Sequence, residues 1–417
     1  MTAEAGHRGR QRTRFLLLYA LAVAGGSIAY APLLTLLLPG RIMDLASDAG
    51  VSWIAYLTFA GAICASIANI AFGWASDLTG GRRGYIWAGL VLSGGLLVAM
   101  PYATGFMQLL ILICCWQIAL NMMLGPLFAW AGDCVPDRQK GLLGGLLSVA
   151  PALGALSGAI VTFSGFAAVL DGFGARLIAV ALMVAGCVMP VLLFGRPKHI
   201  AALEPHAVRG ARSAVPPQRK QIVVRMWLAR LLVQICEAAL FAYALLWFAS
   251  IDPSLDERGT AQVLSAVLIV AVPLALFTGR WIDRRDRPIL PLAVCALVAA
   301  AGLALMALAQ SPAQAIASYV LFGVPAAAFL SLHTSQTLRV LPDPARRGRD
   351  MGVFNLTNSG PSLVMPWLVL TLVPLFGFSG LLALLAMLCG AAALLLATAP
   401  RVAPAPYAPV QVAPEQA

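Results

Sequence analysis

Charge is what this sequence has least of. Only 11% of its 417 residues are charged, against about 25% in soluble domains. A soluble fold of this length would lack the polar groups needed to cover its surface. The formal charge of +11 comes from 28 basic and 17 acidic residues, an excess that elsewhere points to nucleic acid. Here the basic residues are scattered over short loops with no aromatic-rich polar domain beside them, and that excludes a nucleic-acid partner. The eight cysteines (Cys64, Cys114, Cys115, Cys134, Cys187, Cys236, Cys295, Cys389) form no CxxC pair. Most sit in apolar runs, where cysteine acts as a small hydrophobe. We read no disulfide framework and no metal site. The only lysines, Lys140, Lys198 and Lys220, lack a Gly-rich phosphate loop, and there is no HExxH and no GxSxG with a triad. ATP-driven transport and hydrolytic chemistry have no support, no cofactor is called for, and the chain is not read as an enzyme.

What is present is apolar: 60% of residues are hydrophobic and the mean hydropathy is +0.87. A helix crosses the hydrocarbon core with about 20 such residues. Twelve stretches qualify, near 15–38, 51–76, 85–103, 106–130, 141–165, 175–195, 221–250, 259–281, 288–309, 313–338, 350–375 and 377–399. The fold class expected is an all-α membrane protein of twelve transmembrane helices. The first run follows HRGRQRTR like the start of a signal peptide, but it is too long and is read as a retained span. With both termini inside, every basic residue except Arg41, Arg176 and Arg258 falls on the inner side, a strong positive-inside pattern. The expected location is therefore a cell membrane, inner or plasma, crossed many times with N- and C-termini cytoplasmic. Residues 1–14 read as a cytoplasmic tail and 15–195 as a first six-helix bundle. The basic, Pro- and Gly-containing stretch 196–220 reads as a cytoplasmic linker. A second bundle covers 221–399, and the Pro/Ala-rich residues 400–417 read as a disordered tail.

The loops hide a repeat. GWASD at 73–77 matches GRWID at 279–283, an offset of 279−73 = 206. The same offset carries DCVPD (133–137) onto RVLPD (339–343), and the start of the first span near Phe15 onto Gln221. Two parallel six-span units follow, the arrangement of transporters whose site lies between their halves at the membrane midplane.

With these residues in view, the sequence resembles the major facilitator superfamily of secondary transporters. That family's loop signature, G-x-x-x-D-R-x-G-R-R/K, reads here as Gly73, Asp77 and then Arg82–Arg83. Leu78 stands in place of the basic residue, and one extra Gly precedes the arginine pair. The second copy, Gly279 to Asp283, keeps the basic residue as Arg284. The resemblance implies that Asp77 caps the eleventh span near Met351–Gly352, and Asp283 the fifth near Gly141–Leu142. Within each half, Asp133 could pair with Arg82 or Arg83, and Arg339 with Asp283. Such contacts would form a cytoplasmic latch, and the missing basic residue at Leu78 implies a weaker first latch. Arg346, Arg347, Arg349 and the N-terminal arginines are read as topology markers only.

Inside the spans, Arg230, Gln234 and Glu237 share one face of the seventh helix. Arg230 and Glu237 are separated by about 10 Å of helix rise, so a link between them needs Gln234 or water. Glu237 is the one acid well inside a span, and intramembrane ionisable groups are functional by default. Carboxyl groups withdrawn from water hold a proton more readily, so Glu237 could carry a coupling proton. It could equally touch a substrate, or simply balance Arg230. The resemblance implies a cavity lined by spans one, four, seven and ten. Their polar residues are Ser27, Tyr30, Thr35, Gln117, Asn121, Tyr243, Tyr319, His333 and Gln336, with Asn355 and Asn358 joining from the eleventh. Ser27 and Thr35 are read as packing groups, His333 as a gate or packing residue, and Gln117 with Asn121 as either.

The expected function is secondary transport of a small organic solute, with protons as coupling ion and the chain acting as a monomer in the bilayer. The segment NMMLGPLFAWAGDCVPDRQKG is similar to sucrose-type facilitators, which implies symport of a sugar-like or other neutral solute. SVAPALGALSG faintly resembles the antiporter motif of drug exporters, which implies proton-antiport efflux instead. A non-transporting receptor on the same fold is the alternative of another class.

Overall fold

The computed structural model describes residues 10–45, 50–162, 172–198, 217–252, 257–285, 287, 289–341 and 346–400. Most of the expected linker, the C-terminal tail from 401, residues 1–9, and Pro342 and Asp343 of the repeat lie outside these. Among the described residues every regular element is helical.

The first span is α1 (Thr13–Pro32), which passes through a π-helical turn at Leu33–Leu37 into α2 (Leu38–Leu45). Spans two to four are α3 (Gly50–Thr79), α4 (Arg82–Ala99) and α5 (Phe106–Cys134). The fifth is broken at Ser148 into α6 (Asp137–Leu147) and α7 (Val149–Thr162). Pro151, three residues on, has no N–H to offer the Leu147 carbonyl, which loosens the ladder there. The sixth is α8 (Gly172–Phe194). The second half holds α9 (Pro217–Ile251), α10 (Glu257–Arg285), α11 (Leu290–Ala307) and α12 (Pro312–Val340). Spans eleven and twelve run together as α13 (Arg347–Ala397), divided at Gly377 where φ is 65° and ψ −173°. That backbone region is open essentially to glycine alone.

Ten helices among the described residues are long and apolar enough to cross a membrane. The expected seventh and eleventh spans lie within α9 and the first part of α13. Large apolar side chains stand exposed on the outside, including Tyr56, Ile67, Phe241, Ile269, Phe277 and Met387. Helices with such an outer face are solvated by lipid. This is a multi-pass membrane protein.

The halves meet along two seams: α3 packs on α13, and α6 packs on α10. Glycines set how closely they approach. A Cβ on Gly73 would overlap the Gly348 backbone, and one on Gly348 the Gly73 backbone; Gly279 and Gly141 stand in the same mutual relation. One turn along, Gly352 lies against the backbone of Ile70, and Gly145 against that of Leu276. The repeat governs these crossings: 279−73 and 276−70 are both 206, while 348−141 and 352−145 are both 207. Small residues let helix backbones touch in a bilayer, and here they do so symmetrically, at the end bearing the basic loops (hereafter the basic end).

Gly279→Val is therefore expected to strain the seam by about 1–3 kcal/mol. Thermal unfolding of the purified protein should show the loss. Gly94→Val, at a site where an added Cβ meets nothing within 4 Å, should leave the unfolding temperature unchanged.

Candidate functional site

Two polar constellations stand out, one at the basic end and one in the cavity between the halves. At the basic end α3 delivers Asp77 to the first turn of α13. Its carboxylate accepts the N–H groups of Gly348 and Arg349, both at 2.9 Å. The resemblance had placed this contact at Met351–Gly352. The difference arises because α13 begins at Arg347, so its unpartnered N–H groups lie one turn earlier. Asp283, at the end of α10, accepts the N–H groups of Gly141 and Leu142, both at 2.8 Å. Each carboxylate therefore reaches into the opposite half, beside a glycine crossing.

Arginines complete each cluster. Arg82 bonds Asp77 at 2.6 Å and Asp133 at 2.9 Å. Arg339 bonds Asp283 at 2.6 Å and also donates to the Asp137 carbonyl. The expected weakness of the first cluster is not what the geometry shows: Leu78 is exposed, and Arg82 folds back to supply the missing cation. Arg284 is exposed, and the cation on Asp283 comes from Arg339 instead. Arg83 donates to the Leu192 carbonyl at the end of α8 and does not meet Asp133.

Three residues here were passed over in the sequence. Arg347, read as a topology marker, lies across the seam against Gly132 and bonds Asp133 at 3.4 Å. Lys140 is buried, donating to the Leu338 carbonyl at 3.0 Å and to Asp137 at 2.7 Å. Both precede a crossing glycine, Lys140–Gly141 and Arg347–Gly348, and they stand 347−140 = 207 apart, one residue off the repeat offset of 206, so the offset alone pairs Lys140 with Arg346. Gln11 falls in the stretch read as a cytoplasmic tail. It is buried, exchanging bonds with Gln139 (2.6 and 3.1 Å) and with the backbone of Lys198 (2.7 and 2.9 Å).

The cavity between the halves is lined by Phe128, Arg230, Thr334, Met351, Asn355 and Asn358, among others. Arg230 turns away from Glu237. Its Nε donates to Thr357 at 3.0 Å, and Nη1 donates to Thr334 at 3.0 Å and the Leu330 carbonyl at 3.2 Å. Nη2 donates to Asn358 at 3.2 Å, and Asn358 donates onward to Asn355 at 2.7 Å. Gln234 donates to Glu237 at 3.2 Å, so the expected relay through Gln234 stops one step short of Arg230. Tyr30 of the first span and Tyr319 of the tenth lie within electrostatic reach of Glu237. Tyr30 is 44% exposed.

Other expected cavity residues are placed elsewhere. Asn121 is buried, accepting from Asn69 at 2.9 Å and donating to the Gln117 carbonyl at 2.9 Å. It ties α5 to α3, and its place in the cavity list is corrected accordingly. Gln117 rests against Gly61. Tyr243 packs on the core. Thr35 bonds back to the Ala31 carbonyl. His333 is buried, bonded to the Met226 carbonyl at 3.0 Å and to Thr337 at 3.2 Å. Gln336 is buried beside Ser335.

The family model described as Major Facilitator Superfamily matches residues 15–359 and 226–415. The chain belongs to this superfamily. A comparison with curated protein sequences finds no match. Among solved structures, the human organic anion transporter MFSD10 (TETRAN) is similar with a TM-score of 0.72 and 14% identity, covering 92% of this chain and 99% of that one. The proton:xylose symporter XylE gives 0.71 and 16%, covering 93% and 96%. The E. coli fucose:proton symporter FucP gives 0.69 and 15%, covering 93% and 99%. At such identities the shared property is the fold. The chain is thus a membrane transporter by family, and its cavity between the two halves carries Arg230, Thr334, Asn355 and Asn358 on its wall.

If the carboxylates hold the opposite helices, Asp77→Asn should loosen the first turn of α13, and Asp283→Asn the turn at Gly141–Leu142. Helix-end bonds of this kind are worth about 0.5–2 kcal/mol, or roughly 2- to 30-fold faster local opening. Amide hydrogen exchange of peptides covering 347–352 and 139–144 would read it out. Unchanged exchange in both variants would remove the cross-half role.

Proposed function

We propose that this transporter moves a small organic solute by alternating access, driven by a proton gradient, with Glu237 as the proton carrier. The observation that carries the reading is the setting of Glu237. It lies well inside α9, half-buried, with the Gln234 amide as its hydrogen-bond donor. Among the described residues no cation pairs with it. A structural counter-ion for Arg230 would be expected in contact with it, whereas Arg230 is satisfied by neutral oxygens. An acid left without a cation inside a bilayer is stable when it can take up a proton. Its neighbours Tyr30 and Tyr319 come from different halves, so rocking of the halves changes its surroundings. The named neighbours include two proton symporters of sugars and an organic anion transporter, which fits the coupling without fixing the solute.

The basic-end clusters supply the second half of the cycle. We read the arginine pattern as marking that end as cytoplasmic, and on that reading the bonds of Asp77, Asp283, Arg347 and Lys140 close the inner side. Opening inward breaks them together, and a solute compensates through the cavity side chains. The difference between the two states is what binding can bias.

Proteoliposomes enclosing a pH-sensitive dye test this. When sugars, sugar acids and aromatic acids are added in turn, at least one should move protons with wild type. Glu237→Gln should lower that solute-dependent proton movement by about tenfold or more, while exchange of the same labelled solute across the membrane continues. A solute that moves with unchanged proton coupling in Glu237→Gln would sink the proposal.

A further inference from the structure

Arg230 carries a charge that no protein group in contact with it offsets. A guanidinium has five N–H donors, and four of them go to Thr357, Thr334, the Leu330 carbonyl and Asn358. All four acceptors are neutral. Among the described residues no carboxylate lies within ion-pair distance of Arg230. The remaining N–H belongs to Nη2, on the wall of the cavity that Asn355 and Asn358 also line. Neutral oxygens fix the plane and position of the guanidinium without cancelling its charge. Charged groups withdrawn from water are ordinarily paired, and an intramembrane charge marks a binding site whose partner must be named.

We infer that the transported solute carries a carboxylate, and that Arg230 is the residue that binds it. This rests on the reading of Glu237 as proton carrier, and it replaces the expected sugar-like neutral solute with an organic acid anion. The charges explain why coupling would be strict. In the empty carrier, Arg230 and ionised Glu237 sum to zero, about 10 Å apart along α9. With a monovalent anion on Arg230 and a proton on Glu237 the sum is again zero. Anion alone leaves one negative charge, and proton alone leaves one positive charge, within the low-dielectric space between the halves. The two balanced states can rock; the unbalanced ones are held back. The anion thus enters with one proton, and no bond other than that of the proton to Glu237 is made or broken.

The other titratable groups within electrostatic reach of Glu237 or Arg230 are Tyr30 on the first span, and Tyr319 and the buried His333 on the tenth. The eleventh span offers the neutral Asn355, Thr357 and Asn358. Glu237 is therefore the group whose protonation should make anion binding pH-dependent.

Thermal unfolding of the purified protein with matched acid and neutral ligands tests this without requiring transport: glucuronate with glucose, benzoate with benzamide, lactate with lactamide. A ligand that binds the folded state raises the unfolding temperature. At least one acid should stabilise while its neutral partner does not, and more strongly at mildly acidic than at alkaline pH. Arg230→Gln should weaken that acid by about thirtyfold or more, Arg230→Lys should restore part of it, and Glu237→Gln should remove the pH dependence. A neutral partner that binds as well as its acid overturns the inference, as does acid binding that survives Arg230→Gln, or a set in which no acid binds. Acid binding without solute-driven proton movement would leave this site standing and remove the transport reading. Proton movement driven by a neutral solute would do the opposite.

Discussion

Backbone contact between the two halves at the basic end is the constraint on which the rest of this structure depends. Helices that touch at Gly73–Gly348 and Gly279–Gly141 leave no room for side chains between them, so their orientation is fixed at two points. Only then can a carboxylate at the end of one helix reach the N–H groups of the other, as Asp77 and Asp283 both do. Arg82, Arg339, Arg347 and Lys140 are in turn oriented by those carboxylates and by Asp133 and Asp137. The glycine seam comes first and the charges read it out. A larger residue at a crossing would separate the backbones and remove the bonds together.

The cavity follows a different rule. The two charged side chains well inside α9 are kept apart: Arg230, on the cavity wall, bonds to α12 and α13, and Glu237 bonds to Gln234. A salt bridge between them would have been the more stable arrangement for a static protein, and a poor one for a carrier, since each charge would already have its partner. Separate, each can meet an ion that comes and goes.

Much of the fold was legible in the sequence because membrane crossing imposes a long, uniform pattern. The twelve apolar runs, the arginine distribution and the offset of 206 needed no knowledge of contacts. The placement of Asp283 at Gly141–Leu142 was also readable through family resemblance. Asp77 was displaced by one turn because apolarity marks where the bilayer begins, and α13 starts earlier, within the charged residues Arg347 to Asp350. Arg347 looked like a topology marker because a basic residue serves that role without any partner; only the packing shows that it and Lys140 are pinned against the other half. Asn121 illustrates the other limit. Its spacing from Gln117 gives a shared face, but not that Asn69 of α3 stands opposite. For Arg230, the neighbours that decide its role lie 100 residues and more away in sequence.

Gly377 has a mechanical consequence. Spans eleven and twelve are joined there by a single reversed residue in place of a loop, so there is no slack between them. The helix that Asp77 grips at its first turn is hinged, at its far end, directly to the last helix of the bundle. A displacement at Gly348 would therefore be passed on to the last helix of the bundle, with α13 as a bent lever whose fulcrum is one glycine.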